Sequence, residues 1–129
     1  RSQISLLGAI AAIVDVSAEL PCPTSGRPYF NIPMMDLVPP QPEQLEQAAR
    51  AIRTALATAK GPVLVCCALG YSRSALAVAA WLLASGMTAT PEAAEALIRQ
   101  VRPAIVLGPD QRAALQAWWD RQSCPVPAP

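Results

Sequence analysis

Cys67 and Arg73 are separated by five residues, with Ser74 directly after the arginine, in the run Cys67-Ala68-Leu69-Gly70-Tyr71-Ser72-Arg73-Ser74. A free thiol titrates near 8.5, but a helix N-terminus and a neighbouring guanidinium bring that down to about 3.5–7.5. Cys67 is expected to have both. The backbone N–H groups from Ala68 through Leu69, Gly70, Tyr71 and Ser72 to Arg73 can then hydrogen-bond three oxygens of a phosphate. Arg73 can hold two of those oxygens bidentately, and more strongly as charge spreads in a transition state. Phosphoryl transfer asks for this kind of positioning and charge stabilisation. The predicted chemistry is attack of a thiolate on phosphorus, with Ser74 donating to the thiolate when it departs. Tyr71 and Ser72 are expected to act mainly through their backbone N–H groups.

The leaving oxygen of such a reaction needs a proton, which an acid on a loop can supply. Asp36 is the candidate. It is the only acid between Met34 and Pro42, in a segment with three prolines, 31 residues before Cys67. Asp15 falls inside a strand and Asp110 at a helix start, so both have ordinary structural readings.

The elements that must position these groups are legible around them. Val63 to Cys66 is a short valine-rich run after Gly61-Pro62 and reads as a buried strand. Arg73 to Ser85 is apolar nearly all round, with Leu76, Val78, Trp81 and Leu82, and reads as a buried helix stopped by Gly86. The loop therefore runs from a strand end to a helix start. Upstream, Ala11 to Val16 reads as a strand, Glu19 to Arg27 as loop, and Arg27 to Pro33 as a second short strand. Gln41 to Lys60 is a predicted helix, with Leu45, Ala48, Ala49, Ile52 and Leu56 on one stripe. Thr90-Pro91-Glu92 is a helix start, with a capping residue, a first-turn proline and an acid against the dipole. Leu97, Ile98 and Val101 are its expected apolar face. A last helix from Asp110 to Gln122 is expected to bury Leu115, Trp118 and Trp119. The fold class this predicts is α/β, a small sheet flanked by helices.

Composition narrows the function. Hydrophobic residues make up 53% of the 129 but aromatics only 5%, so the core is built from Ala, Leu, Val and Ile. The net charge of +1, with no basic cluster, gives no electrostatic footprint for nucleic acid. With no histidine, histidine-dependent triads and most zinc sites are excluded, and no metal or other cofactor is predicted. Cys22, Cys66, Cys67 and Cys124 do not make the framework of a secreted disulfide scaffold. Residues 1–122 are expected to form a single domain and 123–129 a proline-rich tail. The chain opens on Arg1 without Met, and a piece of a longer protein is expected. Ile4 to Val14 is too short an apolar run to span a bilayer. The expected setting is cytoplasmic, with the soluble domain of a membrane-attached protein as the other reading.

The pattern Cys67-x-x-Gly70-x-x-Arg73-Ser74 resembles the signature of the cysteine-dependent protein tyrosine phosphatases, and Gly70-Tyr71-Ser72-Arg73-Ser74 most resembles their dual-specificity branch. Val14-Asp15-Val16-Ser17-Ala18-Glu19, Tyr29-x-x-Ile32-Pro33-x-x-Asp36 and Arg102-Pro103 are similar to that branch as well. Bacterial domains that follow a membrane-embedded lipid-phosphatase-like region are also similar from Cys67 to Ser74. The resemblance implies a mostly parallel central sheet flanked by helices. It implies Cys67 as nucleophile, Arg73 as phosphate clamp, Ser74 as the thiolate's partner and Asp36 as general acid. The implied partner is a phosphoprotein or other phosphomonoester. Ala68, Leu69, Tyr71 and Ser72 are uncharged, which leans toward phosphotyrosine over lipid phosphates. In two respects the sequence departs from the family: Cys66 stands where a histidine usually precedes the nucleophile, and the strand pair with which the family usually begins, upstream of the helix near Ile4, is not expected in this chain. Two other readings stay open, a phosphate-binding module without turnover and a sulfurtransferase of the rhodanese type.

Overall fold

The computed structural model describes residues 12–17, 29–34, 39–59, 61, 63–66, 72–103, 105 and 107–123. Three strands, β1 (Ala12–Ser17), β2 (Tyr29–Met34) and β3 (Val63–Cys66), form one sheet in the order β2-β1-β3. Both pairings are parallel. Ala12, Ile13, Val14 and Val16 of the central strand are fully buried, which is why β1 reads as a continuous apolar run and does not alternate.

Four helices surround the sheet: α1 (Pro42–Thr58), α2 (Ser72–Ala84), α3 (Pro91–Val101) and α4 (Pro109–Ser123). The mixed α/β class and the parallel sheet agree with the sequence reading. Helix α2 is the centre of the packing. Its Ala75, Ala77, Ala79 and Ala80 are at most 4% exposed, and their small side chains let α1, α3, α4 and the sheet approach it closely. Gly86, at φ 81°, ends α2 in a Schellman motif: Met87 N–H donates to Leu82 O and Gly86 N–H to Leu83 O. At the far end of the bundle, Trp118 of α4 donates from Nε1 to Glu46 Oε1 of α1, 3.1 Å away. Trp118 itself is 1% exposed, and Trp119 packs on the same core.

Two expected faces are corrected. Leu56 lies on the solvent side of α1, where Ala51 and Ala55 fill the contact instead. In α3 the buried residues are Pro91 and Ala94, with Ile98 packed at the core's edge, while Leu97 and Val101 are exposed. In α1 the buried stripe is Leu45, Ala48, Ala49, Ala51, Ile52 and Ala55, so the helix face turned to the core is centred on its alanines and leaves Leu56 at the margin. The predicted cap is present: Thr90 Oγ1 accepts from Ala93 N–H at 3.1 Å. The strand expected to end at Pro33 continues to Met34, and helix α4 runs to Ser123. Ser123, the first residue of the expected tail 123–129, thus belongs to the helix, and 124–129 lie outside the described residues.

Candidate active site

In a parallel sheet flanked by helices, ligands meet the chain at the carboxyl ends of the strands. Here β3 ends at Cys66, level with Asp15 of β1, and α2 begins at Ser72. The first turn of α2 contains no acidic residue, so its N-terminal partial charge is not offset from within the helix. Between this strand end and this helix start lie Cys67, Ala68, Leu69, Gly70 and Tyr71. Those five, together with Asp36, lie outside the described residues.

Arg73 is described, and its setting is specific. It sits in the first turn of α2 and is 3% exposed. Its Nη1 donates to Met34 O, at the carboxyl end of β2, over 2.9 Å. A guanidinium keeps its charge at every physiological pH and has five N–H donors in a planar fork. A bond from one prong to a strand carbonyl fixes the plane of that fork. Ser74 follows in the same turn, half-buried. Thus Arg73 and Ser74 are brought to the edge of the sheet, as their spacing from β3 predicts.

On the sheet beside them, Asp15 is fully buried. Tyr29 donates its hydroxyl to Asp15 Oδ2 at 2.6 Å, and Asn31 Nδ2 donates to Asp15 O at 3.0 Å. Two of the sequence segments noted above, around Asp15 and around Tyr29, are therefore joined in space. Asp15 locks β1 to β2, consistent with its structural reading. Asn31 is the register partner of Asp15, while Tyr29, in register with Ile13, reaches along the strand to the carboxylate.

Sequence reasoning missed the groups that hold the end of β2. Between the Asp15–Asn31 and Ser17–Met34 pairs, β1 advances two residues while β2 advances three. This bulge contains Pro33, which has no N–H to give to the ladder. The carbonyl of Pro33 accepts from Gln44 Nε2 of α1 at 2.8 Å, and the next carbonyl, that of Met34, accepts from Arg73. The signal available in the sequence was the pair Gln41 and Gln44, spaced as in a capping box.

Among the described residues, no group of three His, Cys, Asp or Glu side chains could hold a metal ion. No helix among them is long and apolar enough to cross a membrane.

A parallel sheet with a buried arginine in the first turn of the helix that follows Cys67 in sequence fits the cysteine-dependent phosphatases that the sequence resembles. The catalytic domain of dual specificity phosphatases matches residues 4–121, and the chain belongs to that family. It is a phosphatase of the dual-specificity type. Among solved structures, Tk-PTP in its active form is 27% identical, with 91% of this chain and 83% of that chain covered and a TM-score of 0.75. Human DUSP28 is 24% identical, over 94% of this chain and 84% of that one, with a TM-score of 0.78. PTPMT1 in complex with PI(5)P is 21% identical, over 92% and 82%, with a TM-score of 0.74. At such identities the last two speak for the fold alone. A search of curated protein sequences finds no match.

Proposed function

We propose that the chain hydrolyses phosphomonoesters through a phosphocysteine intermediate. The observation that carries this reading is the buried Arg73, a fixed cation in the first turn of α2 at the sheet's carboxyl edge. The Cys67 thiolate attacks phosphorus, so a P–S bond forms as the bond to the leaving oxygen breaks. Asp36 gives its proton to that oxygen. Water then attacks the phosphocysteine, giving its proton to the Asp36 carboxylate. As the P–S bond breaks, Ser74 donates a hydrogen bond to the departing thiolate and inorganic phosphate is released. Arg73 and the amides of Ala68 to Arg73 bind the phosphoryl oxygens throughout, and gain strength as charge accumulates on them.

Phosphotyrosine is the favoured substrate class, because Ala68, Leu69, Tyr71 and Ser72 bring no charge to the loop for a polyanionic headgroup. PTPMT1 has been crystallised with a phosphoinositide, so phosphoinositides belong in the same assay. The test is phosphate release from phosphotyrosine peptides, phosphoserine peptides and phosphoinositides by wild type and Cys67→Ser. The variant is expected to lose release by about 10³-fold or more while still binding phosphotyrosine peptide. Release near the wild-type rate would remove Cys67 as nucleophile. Peptide binding without release by wild type would instead favour a phosphate-binding module.

A further inference from the structure

We propose that Gln44 is a positioning residue for the general acid, because its one side-chain amide joins the two ends of the segment that carries Asp36. On one side, Gln44 Nε2 donates to Pro33 O at 2.8 Å. On the other, Gln44 Oε1 accepts from Gln41 N–H at 2.7 Å. Pro33 and Gln41 flank residues 34–40, and Asp36 lies between them. Both ends are thus held within the span of a single amide group.

The physical origin is local. Pro33 has no N–H for the ladder, β2 bulges there, and its carbonyl is accepted into a bond with α1 in place of sheet pairing. Gln41 precedes α1, so its N–H has no intrahelical acceptor and takes the Gln44 oxygen instead. Immediately beyond Pro33, Met34 O is held by Arg73. The phosphate clamp and the acid segment are therefore referred to the same short piece of β2, one through Met34 and the other through Pro33. A general acid must sit within hydrogen-bond reach of the leaving oxygen, and a displacement near 1 Å can cost about 10²-fold. Gln44 thereby fixes the point where that segment leaves β2 and the point where it enters α1, the two described ends from which Asp36 is carried.

The inference rests on Asp36 being the acid, and the test separates the two claims. Gln44→Glu keeps the oxygen that caps Gln41 N–H, and an acid in the first turn suits the helix dipole. It removes the donor to Pro33 O. Measure kcat for a phosphotyrosine peptide and for an activated aryl phosphate in wild type, Gln44→Glu, Gln44→Ala and Asp36→Asn, with thermal midpoints alongside. Gln44→Glu is expected to keep its midpoint, lose about tenfold on the peptide and stay within about twofold on the activated ester. Gln44→Ala, which loses both bonds, should show the same selectivity with a lower midpoint. An unchanged ratio between substrates in both Gln44 variants, while Asp36→Asn is selective, overturns the role of Gln44 and leaves the acid in place. Equal losses on both substrates overturn it too, since that is what a residue that only supports the fold would give. If Asp36→Asn itself shows no selectivity, the acid assignment fails and the inference falls with it.

Discussion

Arg73 Nη1 lies 2.9 Å from Met34 O, a hydrogen bond between the first turn of α2 and the last residue of β2 across 39 positions of sequence. This bond orients a guanidinium that is already out of water, at 3% exposure. Much of the desolvation and rotamer ordering that a clamp needs is then complete before any phosphate arrives. The orientation comes from the backbone of a different element, so it does not depend on the residue types in the loop.

Arg73→Lys is therefore expected to be far from conservative. An ammonium is a point charge on a flexible stem; it cannot hold Met34 O and grip two phosphoryl oxygens with one planar fork. We expect kcat/KM to fall by about 10²–10³-fold, the range for losing a preorganised donor. The check is steady-state kinetics on a phosphotyrosine peptide with a circular dichroism control for folding. A folded variant within a few-fold of wild type would contradict the clamp.

The parts of this arrangement legible in the sequence are those set by neighbours along the chain. The run Ala12–Val16 gave β1 because a strand buried on both faces is apolar at every position but Asp15, whose buried carboxylate has a hydrogen-bond partner in Tyr29. Thr90 gave a cap because its hydroxyl reaches Ala93 N–H within one turn. The spacing of Arg73 from the valine-rich run before Cys67 pointed to a helix start soon after a strand, and β3 ends at Cys66 and α2 begins at Ser72. What was not legible depends on which elements meet. Leu56, Leu97 and Val101 fit an apolar stripe, yet they are exposed, while Ala51 and Ala55 of α1 and Ala94 of α3 are buried. Gln44 carried only the capping-box spacing with Gln41, and nothing in the sequence tied it to the carbonyl of Pro33 or tied Arg73 to that of Met34. Those contacts arise only when the end of β2 arrives beside the starts of α1 and α2.

Trp118 links α4 to α1 by a bond that can be removed without removing the ring. Its Nε1 donates to Glu46 Oε1 at 3.1 Å, in the same helix as Gln44 and half a turn further on. Trp118→Phe keeps the aromatic body in the core but loses the donor and some volume, and is expected to destabilise by about 1–3 kcal/mol. Trp118→Ala should cost about 3–5 kcal/mol. Urea denaturation measures both, with an unchanged m value expected for the phenylalanine variant. A phenylalanine variant as stable as wild type would mean that Glu46 contributes nothing at this contact.

Glu95 of α3 makes stability depend on pH in a defined direction. Arg112 of α4 donates to it from Nε at 3.0 Å and from Nη2 at 2.9 Å, and Arg99 from Nη2 at 2.7 Å. The Arg112 hydrogen bond, chiefly, holds the carboxyl below its ordinary value of 4.5; partial burial opposes this, and Arg99 adds to the lowering. Because the folded value lies below the unfolded one, the unfolded chain takes up the proton first as pH falls. The stabilisation is therefore complete above the ordinary glutamate value and is lost as pH drops through the lowered one. Glu95→Gln keeps the shape and removes the charge. At neutral pH and low salt it is expected to lower the thermal midpoint by roughly 2–5 °C, a modest figure because both arginine partners are substantially exposed. The difference from wild type should shrink on acidification below 4.5 and with added salt. Thermal melts of both proteins across pH provide the measurement. A gap between them that persists unchanged to the acid limit would show that the glutamate acts through shape and packing, not through its charge.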